Sequence, residues 1–292
     1  MKVAIYSRVY ESEQKEDIKR LLEELQANNI QAIIYRGFFE QIKEDIAFTQ
    51  EPLLFHSYED LDDSFECMIS LGGDGTLLDT VTMVREQPIP LLGINFGRLG
   101  FLASIGREEL ETVVASLKNH TYVEDERTLI HLDSNMPLFG DTPYGLNEFA
   151  IHKLDTSSMI KIHAYLNGEF LNSYWADGLI VATPTGSTGY SLSCNGPVVF
   201  PDSGSFVITP VSPHNLNVRP IVVPDNNIIS FEIEGRTDSF LCTLDSRKEI
   251  VQKTIQLAVK KEDFTVSLIR LNENNFLQTL RNKLSWGLDR RN

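Results

Sequence analysis

At 292 residues, 42% of them hydrophobic and 23% charged, the chain is long enough for two domains and a substantial core. A formal net charge of −15 argues against broad nucleic-acid binding and against an anionic membrane as partner. No apolar run approaches the ~20 residues of a membrane span, and Cys67, Cys194 and Cys242 are widely spaced with no C-x-x-C pair, which fits a reducing cytoplasm better than a disulfide framework or a zinc site.

The start, Met1–Tyr6, reads as a first strand rather than a signal peptide, with Lys2–Ser7 its apolar run. Gln14–Asn28 follows as a helix with Ile18, Leu21, Leu22 and Leu25 on one face. Ile30–Tyr35 is predicted as a strand, Phe38–Phe48 as a short amphipathic helix, Cys67–Leu71 as a buried strand and Gly75–Arg85 as a helix. Leu91–Ile94 is a further strand closed by Asn95, and Arg107–Lys118 a helix with Leu110, Val113, Val114 and Leu117 in register. Strands alternating with helices imply an α/β domain with a mostly parallel sheet covered on both faces. After about Tyr122 the pattern changes to short strands separated by turn signals. Met159–Leu166 and Glu169–Trp175 flank Asn167-Gly168, a hairpin signature. Phe206–Thr209, Ile228–Ile233, Phe240–Leu244, Thr254–Val259 and Thr265–Leu271 continue a β-rich domain, and Asn275–Trp286 is helical again. We therefore expect residues 1–121 and a tail, 272–292, to form the α/β domain, and residues 122–271 to form the β-rich one.

The most informative local feature is Leu71-Gly72-Gly73-Asp74-Gly75-Thr76, where a buried strand ends and a helix begins. Open α/β sheets bind ligands at this carboxyl edge, and the N–H groups of the following helix suit a phosphate. A dinucleotide-binding G-x-G-x-x-G would need glycine where Leu78 stands, and a P-loop needs a Gly-Lys pair that occurs nowhere in the chain. Asp74 is either a helix cap or, in phosphoryl transfer, the carboxylate that orients an attacking hydroxyl and takes its proton. An anionic nucleotide bound to so acidic a chain needs local compensation from metal ions, backbone N–H groups or a few arginines.

Three further segments stand out. Asn95–Leu102 puts a second glycine-rich turn at a strand end, with Phe101 available to stack. Asn147-Glu148 precedes the apolar Phe149-Ala150-Ile151. Asp177–Ser193 runs from an acidic residue through a strand into a loop dense in hydroxyls and free of cations. Such a loop suits ribose, amide and phosphate oxygens.

In these segments, and in Pro210–Leu216 with Arg219-Pro220 and the terminal Phe276–Gly287, the chain resembles the NAD kinase family from Met68 onward. The glycine–aspartate turn alone is shared with phosphofructokinases and lipid kinases, whereas Asp177–Ser193 is specific. The resemblance implies a β-rich dinucleotide-binding C-terminal domain, a C-terminal tail returning to the first domain, and homodimers or homotetramers. It also implies a divalent metal such as Mg²⁺, and ATP, or sometimes inorganic polyphosphate, as donor to the adenosine ribose 2′-hydroxyl of NAD. By that resemblance Asp74 is the catalytic proton acceptor and Gly75 approaches the dinucleotide. Asn147 and Glu148 bind it, Glu148 accepting from vicinal ribose hydroxyls. Asp177, Thr185, Thr188, Gly189, Tyr190, Ser191, Leu192 and Ser193 complete the pocket, Ser212 touches it, and Arg98 meets a phosphate. Where the family often reads Asp-Gly-Gln, this chain has Asp245-Ser246-Arg247, so Arg247 stands where a glutamine would contact the ligand. Two other expectations compete: a lipid kinase of the diacylglycerol or sphingosine type, which would bring a basic or amphipathic membrane-facing surface, and a non-catalytic dinucleotide sensor. The six histidines lack metal-ligand spacing, and there is no G-x-S-x-G nucleophile turn.

Overall fold

The computed structural model describes residues 1–48, 50–97, 100–154, 159–271 and 275–286. They form two compact units, one of Met1–Glu126 with Val266–Asn292 and one of Arg127–Thr265.

In the first unit β1 (Lys2–Tyr6), α1 (Lys15–Ala27), β2 (Gln31–Tyr35), α2 (Arg36–Ile42), β3 (Leu53–Phe55), β4 (Phe65–Leu71), α3 (Asp74–Val84), β5 (Leu91–Asn95), β6 (Ile105–Gly106) and α4 (Leu110–Asn119) follow in turn. The strands pair in parallel in the order β3-β2-β1-β4-β5, with β6 also parallel to β5. Strand side chains alternate between faces, so Val3, Ile5, Cys67, Ile69, Leu92 and Ile94 share one core with Ile18, Leu21 and Leu25 of α1, Phe38 and Ile42 of α2, and Leu110, Val113, Val114 and Leu117 of α4. Gly93 faces the other way, where a Cβ would lie 2.7 Å from Leu77 of α3. Helices thus cover both faces, as the alternating pattern predicts. The predicted helix Phe38–Phe48 is shorter and earlier: α2 stops at Ile42, while Phe48 packs on Phe39 from irregular chain, centroids 5.5 Å apart. Its aromatic spacing reports burial rather than helix.

The second unit is β-rich. It takes in most of β7 (Tyr122–Ser134), then β8 (Tyr144–Gly145), β9 (Glu148–Lys153), β10 (Ile160–Leu166), β11 (Glu169–Ala176), β12 (Gly178–Ala182), the helical turn α5 (Tyr190–Ser193), β13 (Ser205–Val211), β14 (Ile221–Pro224), β15 (Ile229–Glu234), β16 (Ser239–Leu244) and β17 (Arg247–Gln252). The first part of β18 (Leu257–Leu271) closes it, and α6 (Phe276–Leu284) belongs to the first unit. One antiparallel sheet has the order β14-β13-β12-β9-β16-β17. A second antiparallel layer joins β11, β10, β15 and the start of β18. Phe149, Ile151, Leu179, Val181, Phe206 and Phe240 from the first pack with Ile160, Ile162, Tyr174, Ile229 and Phe231 from the second in one core. The hairpin at Asn167-Gly168 forms as predicted, with φ of 52° and 83° at its two turn residues.

Thr254–Val259 and Thr265–Leu271, predicted as separate strands, meet in the single strand β18, which begins at Leu257 and leaves residues 254–256 in the connection before it. Its charged middle, Lys260-Lys261-Glu262, imitates a turn in sequence but is held in the strand by ion pairs to Asp133 (2.9 Å) and Asp225 (2.9 Å) and by a hydrogen bond between Glu262 and His131 (2.6 Å).

Candidate active site

In the first unit, β4 ends at Leu71 and the chain enters α3 through Gly72, whose φ of +149° and close approach to Thr76 leave no room for a side chain. Gly73 is the N-cap and Asp74 the first helical residue. Asp74 does not cap its own helix. Its carboxylate turns to the loop after β5, accepting from the backbone N–H of Phe101 (2.8 Å, Oδ2), Leu102 (3.0 Å, Oδ1) and Ala103 (2.9 Å, Oδ1). Charge-assisted bonds of this kind fix a carboxylate in one orientation. Gly100 makes the approach possible, since a Cβ there would sit 1.7 Å from Asp74 Oδ1. Asn95 shapes the same loop by accepting from Gly97 N–H at 2.9 Å. Gly75 is exposed on the first turn of α3 and Phe101 is half-buried, its ring 5.9 Å from Lys283 Nζ. Arg98 lies outside the described residues.

In the second unit, β9 begins at Glu148 and pairs with β12, which leads into the hydroxyl-rich loop. Asn147 accepts from Thr183 N–H at 2.8 Å through its carbonyl. Most of the loop's hydroxyls serve the fold. Thr183 donates to Leu146 O (2.5 Å), Ser187 to Pro184 O (2.6 Å) and Thr188 to Thr185 O (3.1 Å), Ser191 pairs with Thr209 (2.8 Å), and Thr185 receives Arg127 at 3.3 Å. The loop therefore presents backbone together with the exposed Tyr190 and Ser193, and Leu192 is half-buried beside them.

Asn147 Oδ1 and Glu148 Oε2 are buried with no hydrogen-bond partner. Unpaired buried acceptors are costly and uncommon. Burial, then the charge of Asp245, pushes the Glu148 carboxyl from its ordinary 4.5 up to about 8, with the Tyr190 N–H pulling the other way. Burial thus favours the protonated form of Glu148.

Asp177 stands at the opposite end of β12 and pairs with Lys153 at 2.6 Å. Its N–H donates to Val211 O at 2.9 Å, which brings the exposed Ser212, φ 46°, to that end. Tyr190 stacks near His152, centroids 5.6 Å apart, and feels the charges of Asp177 and Glu148. The second unit therefore gathers Asn147, Glu148, Asp177, Thr185–Ser193 and Ser212 around β12. Arg247 is engaged close by: its guanidinium donates to Thr142 O (2.5 Å), Thr142 Oγ1 (2.8 Å) and Tyr144 O.

Sequence reasoning missed the three N–H groups that hold Asp74, and the Asp245 carboxylate. Each contact joins residues far apart in the chain, and the glycines at positions 100 and 145, which make room for the two carboxylates, are their trace in the sequence. A cleft of about 640 Å³ in the first unit, lined by Leu22, Ile34, Ile46 and Phe48, contains none of these residues; the chemistry, not the cavity size, marks the site. Among the described residues no group of three or more His, Cys, Asp or Glu side chains could cage a metal ion.

Residues 3–122 match the model of the ATP-NAD kinase N-terminal domain and residues 146–271 that of the ATP-NAD kinase C-terminal domain. The chain is 53% identical over 290 residues to an NAD kinase of Cytophaga hutchinsonii, covering 99% of each chain. It is 47% identical over 294 residues to an NAD kinase of Flavobacterium psychrophilum, covering 100% of each. Among solved structures it is similar in fold to a yeast NADH kinase complexed with NADH, with a TM-score of 0.88 at 22% identity, over 99% of this chain and 89% of that one.

Proposed function

The chain belongs to the ATP-NAD kinase family, and from that premise we propose that this enzyme transfers the terminal phosphoryl group of ATP to the 2′-hydroxyl of the adenosine ribose of NAD, giving NADP and ADP. One observation carries the role of Asp74: its carboxylate, at the carboxyl end of β4 and the start of α3, is held by three backbone N–H groups. A carboxylate so fixed accepts a hydrogen bond from a ribose hydroxyl, orients its oxygen towards phosphorus, and takes the proton as the O–P bond forms. The bond from phosphorus to the bridging oxygen of ADP breaks in the same displacement.

Asn147 and Glu148 are assigned to the dinucleotide because their unpartnered buried oxygens are acceptors awaiting donors, and a ribose diol offers two O–H groups. Gly75, Asp177, Thr185, Thr188–Ser193 and Ser212 extend that assignment, with Phe101, Arg98 and Arg247 as further contacts. A divalent metal, magnesium by this reading, neutralises charge on the donor phosphates when bound. Polyphosphate is the alternative donor. Cytoplasmic residence and assembly as a homodimer or homotetramer belong to the same proposal. No helix among the described residues is long and apolar enough to cross a membrane.

The test is a coupled assay of NADP formation with NAD or NADH as acceptor and ATP or polyphosphate as donor, in the presence of Mg²⁺. NADP from NAD and ATP supports the proposal. Phosphorylation of a lipid with none of NAD would replace it with a lipid kinase, and dinucleotide binding without product with a sensor.

A further inference from the structure

Asn147 precedes β9 and Glu148 begins it, paired with β12 and with Thr183 N–H on the Asn147 carbonyl. A carboxylate about a hundred residues away holds the same segment from its other side. Asp245, at the turn between β16 and β17 with φ 52°, accepts from the N–H groups of Leu146 (2.7 Å), Asn147 (2.8 Å) and Glu148 (3.1 Å). Gly145 accommodates the carboxylate, for a Cβ there would lie 2.9 Å from both of its oxygens. Two residues further on, Arg247 ties the same turn to the carbonyls of Thr142 and Tyr144. The segment 142–148 is thus held from both sides by one β-turn. Asp245 repeats on Asn147-Glu148 what Asp74 does on Phe101–Ala103: one carboxylate on three successive N–H groups.

Resting on the NAD kinase reading, we propose that Asp245 is a positioning residue that aims the Asn147 and Glu148 acceptors at the ribose diol of the dinucleotide. With the backbone clamped from below and Tyr190 N–H on one side of the Glu148 carboxyl, Oε2 and Asn147 Oδ1 keep no protein partner. A ligand with two adjacent hydroxyls supplies the missing donors. Asp245 also acts on Glu148 electrically. The charged and titratable groups facing Glu148 are Asp245, which raises its carboxyl, and Tyr190, with Asp177 beyond; burial raises the Asp245 carboxyl itself, while its three N–H bonds and Arg247 favour its charged form. An O–H donated to Oε2 favours the ionised carboxylate, so dinucleotide binding near neutral pH draws a proton from Glu148.

The experiment is steady-state NADP formation by the full chain and by Asp245→Asn, with kcat and KM for NAD resolved between about pH 6 and about pH 9. Calorimetric NAD binding in two buffers of different ionisation enthalpy counts the proton. For Asp245→Asn, KM for NAD rises ~10-fold or more at neutral pH while kcat stays within about threefold, and the midpoint at which 1/KM rises with pH moves to lower pH because the neighbouring charge is gone. Gly145→Ala, which displaces the carboxylate without removing its charge, raises KM with the midpoint in place, and serves if Asp245→Asn does not fold. Wild-type KM in both variants overturns the proposal, as does a fall confined to kcat with an unmoved midpoint. A wild-type chain that makes no NADP overturns the parent reading as well, whereas an active wild type with indifferent variants overturns the positioning role alone.

Discussion

Gly100→Ala tests how tightly the Asp74 carboxylate must be held. The new methyl group would stand 1.7 Å from Oδ1, 2.4 Å from Cγ and 2.8 Å from Oδ2 of Asp74. Ordinary non-bonded contact begins at about 3.5 Å, so the carboxylate must retreat by more than ~1.5 Å, out of reach of the Phe101, Leu102 and Ala103 N–H groups. Displacing a reacting group by about 1 Å costs roughly 10²-fold in rate, and the account predicts a fall in kcat of ~10²–10³ with KM for NAD changed by less than about fivefold. Asp74 is only half-buried, so water replaces the lost bonds and unfolding free energy falls by no more than about 1–3 kcal/mol. The assay is NADP formation at saturating NAD and ATP, alongside urea unfolding. A folded Gly100→Ala enzyme with wild-type kcat would refute the reasoning, because the loop would then not be what places Asp74.

Glu148 gives the protein a pH signature. Its carboxyl is raised in the folded state from 4.5 to about 8, so the stability linked to its proton is complete below about pH 4.5 and is lost as pH rises through about 8. At about 1.36 kcal/mol per pH unit the loss is of order 4–5 kcal/mol. Glu148→Gln should flatten that decline in urea unfolding between pH ~5 and pH ~8.5, and an unchanged slope would show that burial does not govern this carboxyl. Gly168→Ala, at φ 83° in the β10–β11 turn, should lower unfolding free energy by about 1 kcal/mol while leaving kcat alone; a neutral or stabilising result would contradict the turn geometry.

The alternation of strands and helices in the first unit was legible because each element carries its own periodicity: Ile18, Leu21 and Leu25 mark α1, and the apolar Cys67–Leu71 marks β4. Phe38–Phe48 misled because aromatic residues serve an irregular segment as well as they serve a helix. The Lys260–Asp263 run misled because exposed, ion-paired strand residues carry the same composition as a turn. At the site, the glycine–aspartate turn stood out in sequence because close backbone approach demands glycine, whereas Asn147-Glu148, an ordinary surface dipeptide by itself, stood out only by its order and interval among the segments that resemble the NAD kinase family. The partners of Asp74 and the clamp of Asp245 did not, since both are backbone N–H groups that any residue supplies. The hydroxyls between Thr183 and Ser191 looked like ligand donors, yet most close their own loop, a use that composition does not distinguish.

Asp74→Asn removes the proton acceptor while preserving size and most of the hydrogen bonding, so it isolates the central claim. Calorimetry should find NAD bound within a few-fold of wild-type affinity, and rapid-quench single turnovers with ATP should form NADP ~10²–10⁴ times more slowly. A folded Asp74→Asn protein that phosphorylates NAD at the wild-type single-turnover rate would contradict the account.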